Sequence, residues 1–145
     1  MTDNQRSAAG AAFNATWDYL DKPDRTEAET TRMLTLAHGS RHLWTDIGGA
    51  REWSIGDWQI ARAYAAIGAG ALSQLYALSA LQHAMDHAAD PFIIAAAHEG
   101  LARACAVDHL PQGATHAAMA RTLADALQDP EDRDVILADL RTHPS

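Results

Sequence analysis

Two tryptophans, Trp17 and Trp58, stand 41 residues apart, and so do two arginines, Arg62 and Arg103. A guanidinium offers a fixed fork of donors that fits a carboxylate or phosphate. An indole offers a flat face for stacking or for a cation. Glu99 lies four residues before Arg103. Trp17, Trp58, Arg62, Glu99 and Arg103 are therefore the first candidates for a binding site. The plainer reading makes both tryptophans core residues and pairs Arg62 with Glu99. With only Glu99 as counter-charge, the two arginines leave a surplus of positive charge, which suggests an anionic ligand.

The histidines form a second constellation. His38 and His42 are four apart, as are His83 and His87, so each pair shares a helix face. His42 and His83 are again 41 apart. Paired imidazoles at this spacing can hold zinc. No cysteine pair and no HExxH accompany them, so neither a metal site nor a cofactor is expected. His38, Ser40, Arg41, His42 and Trp44 crowd one helix. That crowding keeps an acid–base role open for His38 and His42, beside Glu99. Cys105 is the single cysteine and falls among alanines, where a thiol behaves as a small buried hydrophobe. There is no phosphate loop, Rossmann fingerprint or GxSxG elbow.

The elements that position these residues read as helices. The chain has 145 residues, 48% of them apolar, with alanine dominant and β-branched residues sparse. That composition favours closely packed helices. The net charge of −8 argues against nucleic acid and anionic membranes as partners. The N-terminus lacks an apolar signal core and no segment is apolar enough to span a bilayer, so the cytoplasm is the expected compartment.

Periodicity predicts a first helix over about 7–21, carrying Phe13, Trp17 and Leu20. Asp24, with Glu27 three residues on, reads as the capping box of a second helix that ends before Gly48-Gly49. A third helix begins between Ala50 and Ser54 and closes at Gly68-Ala69-Gly70. A fourth covers about 71–87, with Leu72, Leu75, Leu78, Leu81 and Met85 as its apolar stripe. Asp90-Pro91 opens a fifth, Leu110-Pro111 a sixth, and Asp129-Pro130 a short seventh. One domain over 1–145 is expected, with hairpins at about 7–47, 50–88 and 90–128 and a capping helix at about 130–141.

An internal echo joins these helices. Ile60-Ala61-Arg62-Ala63-Tyr64-Ala65 reads like Leu101-Ala102-Arg103-Ala104-Cys105-Ala106. A repeat of this length marks stacked units that bury their apolar faces against one another. Ile60, Ala61, Tyr64 and Gly68 follow the spacing of the tetratricopeptide repeat, with Asp57 where the family has Trp. Leu101, Ala102, Cys105 and His109 repeat the frame behind His98. Over residues 50–128 the chain resembles a degenerate tetratricopeptide-repeat protein of the stand-alone bacterial kind. The resemblance implies an all-α, right-handed array of antiparallel hairpins whose first helices line a concave face. Trp17, Trp58, Arg62, Glu99 and Arg103 would then share that face.

The expected function is a small binding domain whose concave groove holds a peptide segment or an anionic small molecule. On this reading Arg62→Ala and Arg103→Ala weaken binding with modest effect on stability. The alternative is an enzyme acting on a small metabolite, with Glu99 or His38/His42 as acid or base and the arginines as anion holders. A third reading, a structural partner in an assembly, would show an apolar outer patch. Seams at the array ends are compatible with a homodimer.

Overall fold

The computed structural model describes residues 2–87 and 90–144. They form seven helices and no strand: α1 (Thr2–Leu20), α2 (Glu27–Ile47), α3 (Ala50–Ala66), α4 (Gly70–Asp86), α5 (Pro91–Val107), α6 (Gln112–Asp125) and α7 (Pro130–Leu140). α1, α3 and α5 each pack against the next helix, giving hairpins α1–α2, α3–α4 and α5–α6. α3 also packs on α5, and α7 lies against α5 and α6. The protein is thus an all-α array of helical hairpins. The expected end of the second hairpin at 88 lies outside the described residues. None of the described helices is long and apolar enough to cross a membrane.

Local chemistry sets the helix ends. α1 begins at Thr2, five residues before the predicted start, with Asp3 complementing the positive end of its dipole. The capping box of α2 is Thr26 with Glu29, not Asp24 with Glu27. Thr26 Oγ1 accepts from the Glu29 amide at 3.1 Å, and Glu29 Oε1 accepts from the Thr26 amide at 3.0 Å. Lys22 pairs with the same Glu29 side chain, which favours this register. Asp90 and Asp129 cap α5 and α7, each followed by proline in the first turn.

The 41-residue echo is a structural repeat. The Ala69 amide donates to Tyr64 O at 2.9 Å, and the Leu110 amide donates to Cys105 O at 2.9 Å, one repeat later. Both are the long bond of a helix-ending Schellman turn, which needs a left-handed residue. Gly68 supplies it in α3, at φ 78°, and His109 in α5, at φ 55°. Histidine tolerates this region better than most residues. The turn therefore survives the loss of its glycine.

The core is built mainly from small residues. Ala61, Ala77, Leu101, Ala104 and Cys105 form one cluster, and Ala95, Ala120, Ala124 and Ile136 another. Fully buried Met33, Ile60, Ile93 and Ile136 contribute on the order of 1.5–3 kcal/mol each. α4 departs from its predicted orientation. It buries Ser73, Ala77, Ala80 and Ala84, while Leu72, Leu75, Leu78 and Met85 face outward. Of the predicted stripe only Leu81 packs inward. The hairpin spacing selects small side chains there, so the leucines take the other face.

Candidate functional site

Residues 17, 58 and 99 occupy one equivalent position on α1, α3 and α5, and they touch in series. The Trp17 and Trp58 rings lie 5.8 Å apart at 45°. Trp58 Nε1 donates to Glu99 Oε1 at 3.0 Å. Gly100 makes this seat possible: a Cβ there would lie 2.8 Å from Trp58 Cδ1. Trp17, Trp58, Arg62, Glu99 and Arg103 all meet along this line.

Glu99 is fully buried and receives hydrogen bonds from three side chains. Its Oε2 accepts from Arg103 Nε at 3.2 Å and from His143 Nε2 at 2.8 Å. Burial alone would raise its carboxyl. The hydrogen bond from His143, the Arg103 charge and the Trp58 N–H outweigh burial and hold it below the usual carboxylate range. Glu99 is thus held as an anion by three donors and has no surface open to solvent. Arg103 completes the lock. Its Nη2 donates to Asp139 O at 3.0 Å and to Thr142 Oγ1 at 2.6 Å, and its Nη1 to Thr142 O at 3.2 Å. Arg103 and the His143–Glu99 bond together tie the C-terminal segment to the repeat core.

Arg62 takes a different place. Its guanidinium lies 5.0 Å from the Trp17 ring centre and 5.8 Å from that of Trp58. Nη1 lies 3.0 Å from Asp139 Oδ1, an ion pair whose N–H is poorly aligned with the carboxylate. The surplus positive charge expected from the sequence is therefore absent. Glu99 balances Arg103, and Asp139 balances Arg62. Asp139 was not singled out in the sequence. It sits three residues after Ile136, the one buried residue of α7, and so on the face turned toward the repeats.

Beside this network is a cavity of about 250 Å³. α1 contributes Phe13 and Trp17, α3 Ile55 and Trp58, α5 Phe92 and Ala96, and α7 Val135 and Asp139. The Ser54 hydroxyl on its wall is committed to Ala80 O at 2.8 Å. Asp139 is the charged group in the lining. Burial, opposed by Arg62 and helped by the Glu99 charge, holds its carboxyl above the usual range. Asp139 Oδ2 accepts no hydrogen bond from the described residues. A second, more polar pocket shares Phe13 and Ile55 and is edged by Arg6, Asn14, Arg51 and Glu52.

The histidine candidates lie elsewhere. His38 Nε2 is 2.9 Å from the Tyr64 hydroxyl, edge-on to Tyr64 and Tyr76. Burial, opposed by the Asp57 charge, lowers its pKa. His42 is exposed, so the pair does not converge on one point. His83 approaches Asp57 at 3.6 Å. Asp57 itself accepts from Arg41 Nε at 2.9 Å and from the Ser79 hydroxyl at 2.6 Å. His98 and His116 join α5 to α6 through their Nδ1 atoms, 3.0 Å apart. Among the described residues, no three His, Cys, Asp or Glu side chains gather as a metal site would require.

Thr16, Asp57 and His98 are also equivalent in the repeat, and all three are buried. Each finds its own partner: Ala12 O for Thr16, Arg41 and Ser79 for Asp57, His116 for His98. Comparison with known proteins adds no family to these observations: no protein-family model, curated protein or solved structure matches this chain.

Proposed function

We propose that this protein is a binding module whose concave cavity takes one apolar, ring-sized group carrying an N–H or ammonium donor. The observation that carries this reading is the cavity itself. It is walled almost wholly by aromatic and aliphatic side chains, with Asp139 as the one charged residue of its lining. An apolar cavity of about 150 Å³ is enough for benzene, and drug-sized pockets run about 300–1,000 Å³. A volume of about 250 Å³ fits a single ring. The neighbouring polar pocket offers room for flanking chain. A peptide segment anchored by one side chain therefore suits the face better than an anionic small molecule, because both arginines already have carboxylate partners.

The test is a titration followed by the indole N–H signals of Trp17 and Trp58 in an NMR spectrum. Phenylalaninamide, benzylamine and benzoate serve as probes. The two amines are expected to shift both signals saturably, and benzoate to bind at least tenfold more weakly. Equal binding of benzoate, or no saturable shift with any probe, would overturn the reading.

A further inference from the structure

Helix α4 carries a second seam that no described residue covers. Ala71, Leu75, Leu78, Gln82 and Met85 are all exposed. Their spacing alternates four and three, which is the pattern of a helix that packs against another helix. Leu75 is 59% exposed, Leu78 55% and Met85 53%. The opposite face, Ser73, Ala77, Ala80 and Ala84, is already committed to the core. The helix thus has two packing faces, and the larger side chains sit on the open one.

Charge says what can meet this seam. The chain holds 11 Lys and Arg and 19 Asp and Glu, but none between Gly70 and Met85. A charged partner would find nothing to read there. Two copies, each at −8, repel over most of their surfaces. This stripe is where they can approach without opposing like charges. The pattern is also self-complementary in an antiparallel pair. Setting Leu75 against Leu78 of a second copy places Leu78 against Leu75 in turn, and Ala71 against Gln82 at both ends. Contact is then isologous, the usual form of a two-fold dimer. The flanking positions, Leu72, Gln74, Ser79 and Leu81, bring no charge either.

We infer that α4 is a self-association surface through which two copies pair antiparallel across Leu75 and Leu78. This rests on the exposed seam and is independent of the concave cavity. An interface one helix wide belongs with the smaller stable contacts, near or below about 1,200 Å² in total. Association should therefore be concentration-dependent in the micromolar range.

Sedimentation velocity over a micromolar concentration series tests it. The wild-type chain should pass from monomer to dimer, while Leu75→Glu and Leu78→Glu stay monomeric with unchanged helical circular dichroism. Both positions are exposed, so neither charge disturbs the core. An Ala71→Cys, Gln82→Cys variant should form an interchain disulfide on mild oxidation. A wild-type chain that remains monomeric throughout overturns the inference, as does a dimer that persists in both glutamate variants. A monomeric chain that uses the stripe to hold a different protein would overturn it equally.

Discussion

Trp58 and Glu99 stand one repeat step apart, and a 3.0 Å hydrogen bond joins them across the interface of α3 and α5. Two further long-range bonds fix the turns around it: Arg6 in α1 reaches Ile47 O at the end of α2 at 2.9 Å, and Arg25, just before α2, reaches Ala66 O at the end of α3 at 3.2 Å. Equivalent positions in successive hairpins are neighbours, so a side chain long enough to span the step can bond its own counterpart. In the α3–α5 step that bond is part-buried, and its acceptor Glu99 also takes His143 from the C-terminal segment.

Replacing Glu99 with Gln should therefore be costly. Arg103 would lose its buried counter-charge and His143 its strongest acceptor. Removing one partner of a buried pair costs about 3–5 kcal/mol. Urea unfolding should show a loss of that order, with a smaller loss of about 1–3 kcal/mol for Trp58→Phe, which orphans one acceptor and keeps a ring against Trp17 and Arg62. A Glu99→Gln variant as stable as wild type would show that the network is incidental.

The two arginines should separate. Arg103→Ala removes the clamp on Asp139 and Thr142 and leaves Glu99 without its cation, so a loss of about 3–5 kcal/mol is expected. Arg62 is a partly exposed pair resting on two indoles, and Arg62→Ala should cost about 1–2 kcal/mol. Equal losses would contradict the distinct roles assigned here. The sequence suggested the same modest effect for both, because the acceptors of Arg103 lie near the C-terminus with no spacing signal to link them.

Gly100 should resist substitution. A Cβ there meets the Trp58 ring at 2.8 Å, and a ring pinned on one side by Glu99 cannot simply swing away. Gly100→Ala is expected to destabilise by about 1–3 kcal/mol and to alter tryptophan fluorescence. Unchanged fluorescence and stability would mean that Trp58 sits elsewhere in solution.

Acid should loosen the α5–α6 hairpin. Burial holds His98 and His116 below the ordinary histidine value, and the charge of His116 lowers His98 further. Their Nδ1 atoms face one another with room for one shared proton. Below about 6.5 the unfolded chain binds protons that the folded pair refuses. The stability they support is thus complete above about 6.5 and declines as the pH falls through that value toward their folded pKa values. Melting temperature should drop over this window, and less steeply in a His98→Leu, His116→Leu variant. An equal slope in both proteins would place the acid sensitivity elsewhere.

The fold was legible where local rules decide it. Asp90-Pro91 and Asp129-Pro130 announce helix starts because the cap and the fixed φ act within a few residues. The repeat was legible because Ile60 and Leu101 are both buried apolar residues at matching positions of α3 and α5. The α4 stripe was not: periodicity gives the spacing of a face but not its direction, and the tight α3–α4 contact chose Ala77 and Ala80 over Leu75 and Leu78. The candidate site was half legible. The residues at 17, 58, 62, 99 and 103 follow from the repeat, whereas Asp139, Thr142 and His143 come from α7 and the segment after it, outside the period. His38 and His42 share a helix face in principle, yet one turns to Tyr64 and the other to solvent.

The central claim is that the concave cavity, through Asp139, holds an apolar group with a donor. It is tested most directly by calorimetric titration of phenylalaninamide into three proteins: wild type, Asp139→Asn and Ala96→Phe. Ala96 lines the cavity, so a phenylalanine there occupies its volume. The account predicts measurable binding to wild type, at least tenfold weaker binding to Asp139→Asn, and none to Ala96→Phe, with all three proteins folded. Undiminished binding to the filled variant would contradict it.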